Sequence, residues 1–290
     1  MTNPPEAEAV AWITGANGLI GHALWQQSHS QNLPWRIEAI TRAHFDLCET
    51  RSIRQAVKRS KPSLIIHCAA MSSNPTCSEN PNLAHEVNVR ATRELADAAE
   101  DARLLFFSTD LVFNGQKGNY RETDSPQPLS VYAETKLLSE ELLAKRPNTV
   151  IIRTSINGGP SPSKKRGFDE ALIQQWRSKI TSRLFRDEYR SPLFASTTAS
   201  VVWRLAQSSE EGIFHIAGPD RLSRLDIGRR LAACYPELSP AIEATSLNDY
   251  DGAPRSPDTS LSIEKVESRL GLSIPSFEES LQQNHPMAAL

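Results

Sequence analysis

Along the first half of the chain, short runs dense in apolar residues alternate with longer segments whose apolar residues recur every three or four positions. The short runs are Val10–Ile13, "RIEAIT" (36–41), "SLIIHCAA" (63–70), "RLLFFSTD" (103–110) and "NTVIIRTS" (148–155). They predict parallel strands, the third apolar enough to be buried on both faces. The longer segments begin with Leu19, Ile20, Ala23 and Leu24 and continue over 50–60, 81–101 and 130–145. They predict amphipathic helices, the last capped by Ser130 with Glu134 in its first turn. Repeated strand–helix alternation implies right-handed crossovers, hence an α/β fold built on a doubly wound parallel sheet of the Rossmann type.

The first strand meets the first helix at "TGANGLIG", where Gly15, Gly18 and Gly21 stand three residues apart. Such a cluster weakens regular structure and needs a reason. A dinucleotide site supplies one. One glycine makes the turn, one admits the backbone to a pyrophosphate, and one lets the helix pack on its strand. The helix N-terminus then offers free N–H groups to the phosphates. Asn17, Leu19 and Ile20 belong to the same expected cofactor-binding segment. Alone, the spacing also fits a glycine-rich turn with no ligand.

Cofactor preference is read from charge. An acid about 20 residues past the glycines holds a ribose 2′-OH in NAD sites, whereas an Arg accommodates a 2′-phosphate. The second strand ends in Thr41 and Arg42, so NADP is expected, with NAD as the alternative.

"VYAETK" carries the chemistry. Tyr132 and Lys136 are four apart on an expected helix and so share a face. An ammonium beside a phenol favours the phenolate and lowers a pKa that starts near 10, suiting the tyrosine to proton transfer. Between the glycine turn and this pair, "FFSTDLVFNG" places Ser108, Thr109 and Asp110 at the carboxyl end of a strand, where open parallel sheets bind ligands. A hydroxyl there can hydrogen-bond a carbonyl undergoing reduction. Thr109 is the expected catalytic residue; Ser108 either contacts the ligand or caps backbone.

The second half is less regular. "NGGPSPSKKRG" (157–167) collects loop formers around Lys164, Lys165 and Arg166, which read as solvated charge. "GIFHIAG" (212–218) predicts one more buried strand and "SRLDIGRRLAACY" (223–235) a short helix. The expected division is a dinucleotide-binding domain over 1–155 and a smaller, mainly substrate-binding C-terminal lobe over 156–290, with about 195–218 returning to the first domain. The first few residues and the tail "QQNHPMAAL" are expected to be disordered.

Composition narrows the partners. With 32 basic and 34 acidic residues, net charge −2, no global field favours nucleic acid or an anionic membrane. No apolar run approaches the length of a membrane span, and the polar, acidic "MTNPPEAEA" resembles neither signal nor transit peptide. Cys48, Cys68, Cys77 and Cys234 lack metal-ligand spacing, so reduced thiols, no metal and a cytoplasmic location are expected.

Taken together, the glycine turn, "HCAA", "FSTDLVFNG" and "YAETK" resemble the extended short-chain dehydrogenase/reductases. Within them, S-T-D-x-V-F-x-G is similar to the dTDP-4-dehydrorhamnose reductase branch, which also holds the methionine adenosyltransferase β-subunit type. The likeness continues through "FRDEYRSPLFAS", "GIFHIAGPDRLSRLDIGRRLA" and "PRSPDTSLSIEKVESRLGL". It implies a catalytic set of Thr109, Tyr132 and Lys136, with Tyr132 and Lys136 also binding cofactor. It further implies that Ala69 and Ala70 line the cofactor, that Asp46 and Leu47 flank the adenine, and that Asn88 steadies the active-site helix. Ser108 is placed with the cofactor contacts. Asp110 and Arg190 are assigned to substrate, the Arg fork suiting a diphosphate. Two positions depart from the branch: Ile156 and Asn157 stand where it carries Trp and Tyr, and the expected R-P reads "RSPDTSL", with Pro257 one place on.

The function expected is an NADP-dependent reductase of a carbonyl on a nucleotide sugar or related small molecule, a homodimer being allowed for. A non-catalytic NADP-binding regulatory subunit and a sugar-nucleotide epimerase or dehydratase are the alternatives. The Thr-Tyr-Lys set opposes the first alternative, since a scaffold has no need of it. The dehydratase form lacks its Asp-Glu pair, "STDLVF" supplying only Asp110.

Overall fold

The computed structural model describes residues 9–285. Six parallel strands form the central sheet: β1 (Val10–Thr14), β2 (Arg36–Ile40), β3 (Leu64–His67), β4 (Arg103–Thr109), β5 (Thr149–Thr154) and β6 (Gly212–Ile216). Their order is β6-β5-β4-β3-β1-β2. The chain leaves β1 for the edge strand β2 and returns to β3 on the other side of β1. The topological switch point therefore lies between β1 and β3, whose last residues, Thr14 and His67, are in register. Ligands of doubly wound sheets sit outside that crevice.

Every residue of β1, β3, β4 and β5 is buried, and alternate side chains serve opposite faces. Ala11, Ile13, Leu105, Phe107 and Ile152 pack with Leu24, Val202 and Trp203 on one side. Trp12, Ile65, Leu104, Phe106 and Ile151 pack with Ile53, Ala56, Leu95 and Leu143 on the other. A third apolar cluster, including Phe168, Leu172, Trp176, Phe194, Leu225, Leu231 and Phe277, lies in the later part of the chain. Helix Ala195–Ala206 does not join that cluster. Its Trp203 indole N–H donates to the Leu24 carbonyl at 3.2 Å, and β6 pairs with β5.

The structure cuts back two of the expected elements and adds to a third segment. β3 ends at His67, so Cys68, Ala69 and Ala70 are loop. The helix expected over 81–101 is Pro81–His85, a wider turn over Glu86–Arg90 and Ala91–Ala98. In that turn the Ala91 N–H donates to Glu86 O, five residues back, a spacing frequent at functional sites. The expected disordered tail is folded in its first part. Helix Phe277–Asn284 buries Phe277 and Leu281, and His285 Nε2 lies 2.9 Å from Asp169. Residues 1–8 and 286–290, also expected to be disordered, lie outside the described residues. Among the described residues no helix is long and apolar enough to cross a membrane, and no group of three His, Cys, Asp or Glu could hold a metal ion.

Candidate active site at the carboxyl end of the sheet

Beyond Thr14 the backbone turns through Gly15 at φ +68°, where a side chain is strained. A Cβ there would also stand 2.8 Å from the Ala69 nitrogen. Gly18 opens helix Leu19–Ser28 with no side-chain cap, leaving the first N–H groups of that helix for a ligand. A Cβ on Gly18 would approach Gly15 O at 3.0 Å, a tight contact, and nothing else. Gly21 is the packing glycine, its Cβ position lying against Gly15 O, Gly15 C and Ala16 Cα. The cradle suits a pyrophosphate, and Ala69 lies against it.

A hydrogen-bonded chain holds this arrangement. The Thr14 hydroxyl accepts from Ala69 N at 3.2 Å and lies 2.7 Å from His67 Nδ1. His67 Nε2 is 3.1 Å from the Thr92 hydroxyl, which donates to Asn88 O at 2.6 Å. Burial, then the Lys136 charge, pushes the His67 pKa down to about 3, so the ring is neutral. The Thr14 hydroxyl donates to the bare Nδ1, and the ring's single N–H, on Nε2, donates to Thr92. Asn88, in the wide helical turn, accepts from Met71 N at 2.8 Å and donates to Met71 O at 3.0 Å and the Thr135 hydroxyl at 2.9 Å. Its carbonyl also accepts from Ser139 at 2.9 Å. Asn88 thus ties the loop after β3 to the helix that carries Tyr132 and Lys136. Sequence reading missed Thr14, His67, Thr92, Thr135 and Ser139, because polar residues in apolar runs carry no periodic signal.

Thr109 ends β4, its hydroxyl accepting from Leu111 N and donating to Asp110 Oδ1, both at 3.2 Å. Helix Val131–Leu143 starts at Ser130, whose hydroxyl accepts from Ala133 N, and brings Tyr132 to Thr109. Burial and the Asp110 carboxylate push the Tyr132 phenol well above its ordinary pKa, against a lowering by hydrogen bonding to Thr109. Lys136 has no part in that shift, which corrects the expectation that it lowers the phenol's pKa. Its ammonium instead lies 3.9 Å from the centroid of the Phe106 ring. Burial lowers its pKa to about 7, with Glu140 and Cys68 acting in the opposite sense.

Ser108 and Thr109 divide by face. The Ser108 hydroxyl donates to Glu140, and Arg153 Nε and Nη2 donate to the same carboxylate at 2.6–3.1 Å. Ser108 is therefore held within a buried ion pair, not turned to the cofactor crevice. Arg190 is likewise not a free fork. Nη1 donates to Tyr189 O at 2.6 Å and Ser256 O at 3.0 Å, Nη2 pairs with Glu188 at 3.0 Å, and Nε faces Asp110 at 3.8 Å. Asp110 also accepts from Ser155 at 2.9 Å and Thr259 at 2.7 Å. Both expected substrate residues thus clamp the C-terminal segment to the end of β4. At the edge of the crevice Thr41 bonds His44, at 3.1 Å between hydroxyl and Nδ1, and Arg42 is exposed. Asp46 is also exposed and caps Cys48 N at 2.9 Å, while Leu47 is half-buried beside the second apolar face. Ile156 packs against the third cluster, and Asn157 is buried, bonding Thr154 and Thr198.

The model of the family described as RmlD substrate binding domain matches residues 11–287. A Haloferax volcanii protein named "Probable low-salt glycan biosynthesis reductase Agl14" is 29% identical over 286 residues, covering 93% of this chain and 95% of its own. The Danio rerio methionine adenosyltransferase 2 subunit beta is 26% identical over 277 residues, 91% of this chain and 85% of its own. Among solved structures, a Bacillus anthracis dTDP-4-dehydrorhamnose reductase in complex with NADP superposes with a TM-score of 0.88 at 23% identity, over 96% of this chain and 99% of that one.

Proposed function

The chain belongs to the RmlD substrate binding domain family, and on that premise we propose that it is an NADP-dependent reductase of a carbonyl on a nucleotide sugar. The observation that carries this reading is that Thr109 ends β4 where the helix Val131–Leu143, packed on that strand, presents Tyr132 and, one turn on, Lys136. NADPH, when bound, supplies the hydride for the carbonyl carbon. The chain's own residues do the rest. Gly15 and Gly18 shape the turn, the helix start at Leu19 offers its N–H groups, and Arg42 stands free to meet a 2′-phosphate. Thr109 orients the carbonyl oxygen. Tyr132, held protonated by burial and by Asp110, passes its proton to that oxygen as charge develops there. Lys136 lies on the same helix face, next to the Cys68–Ala69 loop, and would hold the nicotinamide ribose.

The relative named as a reductase supports this reading, and the β-subunit relative supports the regulatory alternative. A regulatory subunit has no physical need of a proton-bearing tyrosine aimed at a strand-end hydroxyl, so the catalytic reading is favoured. The test is NADPH consumption with a dTDP-4-keto-6-deoxysugar. Turnover at rates above the sugar-free background supports the reading, and its absence overturns it.

A further inference from the structure

Helix Val131–Leu143 buries a carboxylate that the proposed chemistry does not use. Glu140 lies one turn beyond Lys136 and about two beyond Tyr132, on the same face. Two strands meet it. From β4 the Ser108 hydroxyl donates to Glu140 Oε1. From β5 Arg153 Nε donates to both carboxylate oxygens at 3.1 Å, and Nη2 donates to Oε2 at 2.6 Å. Glu140 and Arg153 are 3% and 2% exposed. The guanidinium lies 5.0 Å from the centroid of the Phe113 ring, and its Nη1 has no hydrogen-bond partner among the described residues.

A buried ion pair with one donor left over is a weak stabiliser, because desolvation offsets the attraction and a well-packed apolar pair would hold the layers as well. What the bridge adds is register. A planar guanidinium meets a carboxylate in a narrow range of geometries, so the helix cannot slide or turn on the sheet without breaking it. Ser108 directly precedes Thr109 on β4. One fixes Glu140, and the other ends the strand where the helix presents Tyr132. We infer that Glu140 is a positioning residue for the reduction, locked by Ser108 and Arg153 so that the helix holds Tyr132 at the end of β4 and Lys136 over Phe106. The inference rests on the reductase reading.

The same carboxylate acts on the lysine. Around the Lys136 ammonium stand the Phe106 ring of β4, with His67 and Cys68 at the end of β3. His67 is neutral, and burial pushes the Cys68 thiol up. Burial lowers the Lys136 pKa, and Glu140 opposes it. Without Glu140 the ammonium should lose its proton at lower pH, and with it part of its hold on the cofactor ribose.

The test compares the full chain with Glu140→Asp and with the combined variant Ser108→Ala, Glu140→Met, Arg153→Met. The combined variant removes every member of the bridge and should keep the parent's thermal midpoint. Its kcat for NADPH consumption with a dTDP-4-keto-6-deoxysugar should nonetheless fall about tenfold or more, with KM for the sugar nearly unchanged. Its NADPH affinity, titrated by fluorescence from pH 5 to 9, should decline about one pH unit below the parent's. Glu140→Asp keeps the charge at a shorter reach, so it should lose turnover about tenfold while its affinity declines at the parent's pH. Parent turnover in either variant overturns the inference, as does an unmoved pH dependence in the combined one; each leaves the reductase reading standing. Should the combined variant not fold, Glu140→Asp decides alone. A parent that reduces no keto sugar overturns both.

Discussion

The Lys136 ammonium lies over the face of Phe106, 3.9 Å from the ring centroid, one turn along the helix from Tyr132. A residue only 2% exposed holds its charge there against desolvation, and its pKa falls from 10.5 to about 7. Between those values the unfolded chain binds a proton that the folded chain has released. Stability gained from this group therefore rises with pH across that window, and below about pH 7 the buried charge is carried at full cost. Urea unfolding of the parent and of Lys136→Met from pH 6 to 10 should show it. The parent should gain on the variant by up to about 1.4 kcal/mol per pH unit above pH 7. A pH-independent gap would mean that Lys136 titrates normally.

Tyr132→Phe removes one oxygen and keeps the ring's packing. If Tyr132 donates the proton, turnover should fall by ~10²–10⁴-fold, while NADPH affinity and the thermal midpoint hold. Parallel assays of NADPH consumption with a keto-sugar nucleotide decide it. Equal rates in parent and variant would remove Tyr132 from the chemistry.

Two glycines of the turn should part company under mutation. Gly18 has extended dihedrals and its Cβ position meets only Gly15 O, at 3.0 Å, so Gly18→Val should still fold, at some cost in stability, yet lose NADPH binding, measured by fluorescence titration. Gly15→Ala meets Ala69 N at 2.8 Å and sits at φ +68°. The backbone strain alone should cost about 1–2 kcal/mol, visible as a lowered urea midpoint. Gly18→Val with undiminished NADPH binding would place the dinucleotide elsewhere.

Arg42 is exposed beside Thr41 at the end of β2, where no acid adjoins it. NADPH should bind more tightly than NADH, and Arg42→Ala should narrow the difference chiefly by weakening NADPH. Higher salt should narrow it as well, because the contact is solvent-exposed. Matching affinities in the parent would refute the assignment.

Much of the architecture was already legible in residue order, because its causes are local. Apolar runs such as Leu64–His67 have no stable place except inside a parallel sheet, and the glycines between Thr14 and Leu19 permit a turn that other residues resist. The face shared by Tyr132 and Lys136 follows from helical spacing alone. What spacing could not reveal is which groups a side chain meets from distant parts of the chain. Ser108 and Thr109 are neighbours in sequence, yet the strand's alternation turns one to Glu140 and Arg153 and the other to Tyr132. Arg190 looked like a free cation until residues 256–259 folded back onto it and onto Asp110. Helical spacing makes Lys136 the tuner of Tyr132, yet in the fold burial governs the lysine's own charge and sets its ammonium over Phe106. Desolvation and pairing depend on everything packed around a charge, and that surrounding is assembled from segments up to 149 residues apart.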